Sequence, residues 1–162
     1  MVRKGLCFMF VCFLLGGCGA EETLETVADE WVEAVIAPAR EIRVSLPEEV
    51  TSVAEDTTGA LYIASNYEIH IQTMAGGDLD ETIQSISGYE QEDLTVIATE
   101  PQGFKRYDLV WTAAGEGGDR IGRAVIVDDG TYHYTMTVLR DAGSVETDQV
   151  VWRTVFESFT LV

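Results

Sequence analysis

The chain has 162 residues, of which 28 are acidic and 10 basic, for a net charge of −18 at pH 7. That length suits one domain with a proper core. The charge repels nucleic acid and anionic lipid head groups and so sets nucleic-acid binding aside. An acidic surface also keeps a protein soluble, so the charge alone names no ligand, although such a field attracts cations and basic partners.

The first element is a basic start, Arg3 and Lys4, followed by an apolar run from Leu6 to Leu15. A spanning helix needs about 20 apolar residues. This run falls well short, even with Gly16 and Gly17 added, and has the proportions of a signal-peptide apolar region. Small residues at Gly16 and Gly17 let an extended backbone enter a peptidase cleft, and no Ala-x-Ala-like exit is present. The tetrad Leu15-Gly16-Gly17-Cys18 resembles the lipobox of bacterial lipoproteins. The resemblance implies that Leu15, Gly16 and Gly17 are read by the signal peptidase. It also implies that Cys18 is acylated with diacylglycerol and residues 1–17 are removed. Two or more acyl chains anchor stably where one does not. Gly19 after the cysteine resembles an outward-sorted lipoprotein if the envelope has an outer membrane; otherwise the domain faces outward from the plasma membrane. Cys7 and Cys12 leave with the signal, so the remainder has no disulfide and no thiolate metal site. It keeps eight basic and 28 acidic residues, a charge of −20.

Residues 18–40 are expected to hold a polar spacer and a helix. Leu24, Val27, Ala28, Trp31 and Val35 recur at helical steps from about Glu22 to Ile36, with acids between them and Pro38 ending the segment. This helix is expected either to pack on the domain edge or to serve as a stalk or partner helix. The domain proper spans 41–162. Glu41–Leu46 alternates as a half-buried strand and Pro47 stops it. Val50–Ala54 and Ala60–Ala64 give two more, and Tyr67–Gln72 buries Tyr67, Ile69 and Ile71. After Gly76-Gly77, Asp78 caps a helix through Leu79, Ile83 and Ile86, with Glu81 placed to reach back and Gly88 to end it. Leu94–Thr99 and Phe104–Thr112 are strands, the latter with Tyr107, Leu109 and Trp111 inward. Arg120–Asp128 and Thr131–Arg140 flank Asp129-Gly130, a strong hairpin signal. Ser144 caps a last helix with Val145, Trp152, Val155 and Phe156 buried, Glu146 early and Arg153 late to suit the dipole. The expected fold is α+β, an antiparallel and mostly meandering sheet of about seven or eight strands with a central and a C-terminal helix packed on it.

In order, the strand ending Ser45-Leu46-Pro47, the Tyr67–Thr73 strand with its Leu79–Ile86 helix, Gly103–Trp111, Ala124–Asp129, Gly130–Tyr134 and the helix ending Trp152–Phe159 resemble the PsbP-like, DcrB-like fold group. Glu48-Glu49 stand where an aromatic is usual after the proline. The resemblance covers some 120 residues (about three quarters of the chain) and implies a non-enzymatic binding or assembly module. It carries over no functional residue, because the matching positions are core positions.

A search for chemistry finds little. His70 and His133 are the only histidines. Both fall in strands on the less apolar face, and neighbouring strands would place them as half a metal site, short of the three or four ligands usually required. The alternative is solvent-facing or hydrogen-bonded imidazoles. Gly115–Asp119 lacks phosphate-loop spacing and reads as a hairpin. Asp78, Asp80 and Glu81 lack EF-hand spacing and read as a cap. No nucleophile turn occurs. No cofactor and no catalytic residue is assigned. The expectation is a lipid-anchored extracytoplasmic module with a membrane tether and an envelope protein partner. The alternatives are a small-ligand or cation receptor with a pocket between sheet and helix, and a hydrolase with a cleft at His133.

Overall fold

The computed structural model describes residues 37–115, 118–143 and 149–162. The lipobox residues Leu15, Gly16, Gly17 and Cys18, the helix expected over 22–36, and Ser144, Val145 and Glu146 lie outside them. Among the described residues nine strands and two α-helices follow in order: β1 (Ile42–Arg43), β2 (Thr51–Glu55), β3 (Gly59–Ile63), β4 (Tyr67–Ala75), α1 (Leu79–Ser87), β5 (Val96–Thr99), β6 (Lys105–Gly115), β7 (Gly118–Asp128), β8 (Tyr132–Asp141), α2 (Gln149–Ser158) and β9 (Thr160–Leu161).

The fold is α+β, as expected. Seven strands form an antiparallel sheet in the order β2-β3-β4-β8-β7-β6-β5. It consists of two meanders, β2-β3-β4 and β5-β6-β7-β8, joined where β4 pairs with β8 from Tyr67 opposite Arg140 to Ala75 opposite Tyr132. Because side chains alternate across a strand, the central strands supply two separate cores. Tyr67, Ile69, Ile71, Val125, Val127, Tyr134, Met136 and Val138 face one way and are covered by Val155 and Phe156 of α2 and by Phe159. Leu109, Trp111, Ala124 and Ile126 face the other way beneath Ile83 of α1.

α1 starts and stops where its sequence requires. The Asp78 carboxylate accepts the Asp80 N–H at 3.0 Å, and Gly88 ends the helix at φ 79°. Glu81 is exposed and makes no return bond to Asp78 among the described residues; the Asp80 bond alone forms the cap.

Two expectations change, one about a strand and one about a helix. The segment 41–46 alternates in burial as expected, with Ile42, Val44 and Leu46 against the α2-side core. Only Ile42–Arg43 is paired, however, and its partner is β9 rather than the main sheet. The last helix has Trp152, Val155 and Phe156 inward as expected, but it runs to Ser158, so Arg153 stands mid-helix and not at the end.

The β7–β8 hairpin turns at Gly130, φ 88°. Asp129 Oδ1 accepts Thr131 N–H at 2.9 Å and Tyr132 N–H at 2.8 Å, and Oδ2 accepts the Tyr134 hydroxyl at 2.9 Å. That hydroxyl oxygen also accepts Arg40 N–H at 2.8 Å. Burial pushes the Asp129 carboxyl up, but the two turn N–H groups, the tyrosine and the Arg40 guanidinium outweigh it and hold the group below its usual range. A depressed folded value means stability that is present above the ordinary carboxylate range, near pH 4, and lost as pH falls through the lower folded value. Asp129→Asn is expected to cost about 1.5 kcal/mol at pH 7. The gap to wild type should close below about pH 4, as urea unfolding across that range would read. A gap independent of pH would refute the assignment.

Candidate functional site: an arginine-lined cleft beside the C-terminal helix

α2 covers β4, β8 and part of β7 but leaves Val110 of β6 and Ile97 of β5 largely exposed on the same face. Between the helix and this bare region lies a cavity of about 470 Å³. Its apolar lining is Val110, Ile121, Val138, Trp152 and Phe156, and its polar lining is Arg123, Arg140 and Arg153. The strand pairing explains the mixture. Arg123 stands opposite Val138 and Ile121 opposite Arg140, so the floor is a two-by-two checkerboard of guanidinium stems and aliphatic side chains. Trp152 and Phe156, one helical turn apart, form the helix wall. Trp152 is braced edge-on against Tyr67, with ring centroids 4.8 Å apart at 83°.

Arg123 lies over the Phe156 ring, 3.9 Å from guanidinium carbon to centroid, a cation–π geometry. Its Nη2 is 3.9 Å from Asp108 Oδ1. Burial pulls this guanidinium down from its usual value; the Asp108 carboxylate opposes that and Arg106 reinforces it. The group stays charged. Arg140 and Arg153 have no ion-pair partner among the described residues. The described lining contains no carboxylate at all. A pocket between sheet and helix is thus present, but its charge is the opposite of what a cation receptor needs.

Sequence reasoning passed over these arginines, although a signal existed. Arg123 shares strand parity with Val125 and Val127, and Arg140 with Tyr134, Met136 and Val138, so both sit on a core face. An arginine in the inward register marks a place where the core opens.

The two histidines are not brought together. β4 and β8 are neighbours, but His70 pairs with Thr137 and His133 with Met74. Four residues along the strands separate them, about 13 Å at the rise of a strand. The face expected to be the less apolar one is covered: His133, Thr135 and Thr137 are all buried. His133 is 2 % exposed, and its Nδ1 is 2.6 Å from Thr82 Oγ1 of α1. It is a hydrogen-bonded core imidazole that opens onto no cleft. His70 Nε2 is 3.6 Å from Glu68 Oε1, which accepts Arg120 Nη1–H at 2.9 Å. Among the described residues no group of three or more His, Cys, Asp and Glu side chains is placed to hold a metal. Thr82→Val keeps the shape of the side chain but leaves the buried ring nitrogen without a partner. It is expected to cost about 2 kcal/mol in urea unfolding; a change below about 0.5 kcal/mol would show that the bond is immaterial.

Gly115 pairs with Gly118 across the β6–β7 turn, so this glycine-rich stretch is a hairpin, as its spacing suggested. No helix among the described residues is long and apolar enough to cross a membrane.

No protein-family profile matches the chain, and no curated protein is similar to it in sequence. Similar solved structures include a protein of Bacteroides thetaiotaomicron, 10% identical, with a TM-score of 0.51 over 75% of this chain and 45% of that one. They also include LpqN of Mycobacterium tuberculosis, described as involved in cell envelope biogenesis. It is 15% identical, with a TM-score of 0.48 over 76% of this chain and 84% of that one. The chain spans less than half the length of the Bacteroides protein, and what the two share is a fold.

Proposed function

We propose that this chain is a lipid-anchored, extracytoplasmic binding or assembly module, with the cleft beside α2 as its ligand seat. The tether is assigned to Cys18, after recognition of Leu15, Gly16 and Gly17. It would hold the domain at the outer leaflet of the plasma membrane, or at an outer membrane where one exists. The module acts by binding and not by catalysis, on a small ligand or an envelope partner. The observation that carries the binding role is the cleft lining: three guanidinium groups on an apolar floor, in a chain where acids outnumber bases 28 to 10. Charged side chains are kept at the mouth of an apolar cavity at a solvation cost, and convergent polar groups in a largely apolar pocket mark a ligand site. The terminal helix running into Ser158-Phe159, with Phe159 2 % exposed, supports the PsbP-like, DcrB-like reading of the fold.

The intact mass of the protein from the membrane fraction tests the tether. The expected mass is that of residues 18–162 plus acyl chains, and Cys18→Ala should abolish the acyl increment. A mass that still includes residues 1–17 in the wild-type protein would overturn it.

A further inference from the structure

We infer that the cleft takes an amphipathic anion: an unbranched or flat apolar body with a carboxylate or phosphate head. The inference rests on the reading of the cleft as the ligand seat, and not on the lipid tether.

Three observations converge. The first is charge. Three of the eight basic residues in the described segments line this one cavity, with no carboxylate among the described lining residues. Two acids outside the lining act on Arg123: Asp108, 3.9 Å away and already held by Arg106 at 2.9 Å, and Glu157 of α2. The second is layout. A floor with cationic and aliphatic corners in alternation, closed by two aromatic rings of α2, offers charge and grease within one side-chain length of each other. A bare inorganic anion would leave the apolar half unused. A neutral lipid would leave Arg140 and Arg153 uncompensated, and a cation would be repelled. The third is size. About 470 Å³ lies within the range for small-molecule sites, roughly 300–1,000 Å³, and admits a single chain or ring system rather than a polymer. The chain's net charge opposes the approach of an anion from afar, but at physiological ionic strength it is screened beyond about 8 Å. Contacts with the arginines act well inside that distance, and guanidinium forks match carboxylate and phosphate geometry.

The test uses the full protein isolated from membranes into neutral-lipid nanodiscs. It is exposed to photoactivatable ten-carbon probes that differ only in the head group: carboxylate, phosphate or trimethylammonium. Labelling is located by peptide mass spectrometry, and inorganic phosphate serves as a competitor. The carboxylate and phosphate probes should label residues within 120–158, the tighter of the two identifying the head group. Arg140→Gln and Arg153→Gln should each weaken that labelling by about tenfold, the worth of one charge-assisted hydrogen bond. The melting temperature should change little, since Arg153 is exposed and Arg140, half-buried in the cleft floor, has no ion-pair partner among the described residues to lose. Equal labelling by the trimethylammonium probe would overturn the inference. So would labelling indifferent to both substitutions, or complete competition by inorganic phosphate alone. An uncleaved chain with charge-selective labelling would sink the tether and leave the ligand class standing. A lipidated chain with charge-blind labelling would do the reverse.

Discussion

Replacing Arg106 with methionine is expected to destabilise the domain by about 3 kcal/mol and to lower its melting temperature by roughly 10 °C. Arg106 projects from β6 to the end of α2, and its side chain is 14% exposed. Nη2 donates to the Phe156 carbonyl at 2.9 Å and Nη1 to the Phe159 carbonyl at 3.4 Å. The last carbonyls of a helix have no partner within it and carry its negative dipole end. α2 has no basic residue in its own last turn, so the cap comes from a strand some fifty residues earlier. Asp108 fixes the guanidinium from behind through Nε at 2.9 Å and Nη2 at 3.2 Å. Methionine retains the apolar stem but strands both the carbonyls and the carboxylate. Adding Asp108→Asn should recover about 1 kcal/mol by removing the unpaired charge. Arg106→Lys, a point charge without the fork, should fall between. A methionine variant within about 1 kcal/mol of wild type would show that the end of α2 is held by packing alone.

Gly122→Val is expected to cost about 3 kcal/mol, and Gly122→Ala somewhat less. Gly122 is buried in β7 and pairs with Trp111 of β6. A Cβ there would fall 2.7 Å from Trp111 Cδ2 and closer still to the adjoining indole carbons. The ring is 5% exposed in the core beneath α1 and has nowhere to retreat. The variant should show a weakened near-ultraviolet tryptophan signal together with a lower urea midpoint. Trp111→Leu opens a cavity and costs about 3 kcal/mol alone. Combined with Gly122→Val it should cost about 2 kcal/mol less than the two separate losses added together, because each change fills or vacates the same space. Strict additivity would refute the clash.

Local chemistry was legible from the residues themselves. Asp78 and Gly88 bound α1, Asp129-Gly130 turns the long hairpin, and the alternation of β4 and β6 places Ile69, Leu109 and Trp111 inside. Long-range partnership was not. Nothing near Tyr67 announces that Arg140 will lie opposite it, and nothing near Ile42 announces Leu161. Polar alternation misled for one reason. His133, Thr135 and Thr137 look solvent-facing, but a central strand with a helix on each side has no solvent face. Arg153 was read as a helix-end charge, but α2 continues to Ser158 and leaves it mid-helix. The cleft needs three elements at once, and its arginines gain meaning only when β7, β8 and α2 are set side by side.

The joint between the two meanders also has a kinetic meaning. Every other pairing in the large sheet is between consecutive strands, closed by a short turn or, for β5 and β6, by the turn at Pro101–Gly103. The β4–β8 ladder alone must close a loop running from Ala75 to Tyr132. Loop closure over that span carries an entropic cost that local hairpins escape, and such non-local pairing slows folding. Until β8 is available, β4 keeps one unsatisfied hydrogen-bonding edge in a stretch rich in β-branched and aromatic residues, a template for pairing with another chain. In a polypeptide delivered N-terminus first, that exposure lasts as long as it takes for residue 141 to emerge. Glu68, flanked by Tyr67 and Ile69 in the waiting strand, is then a gatekeeper against self-association as well as a partner for Arg120.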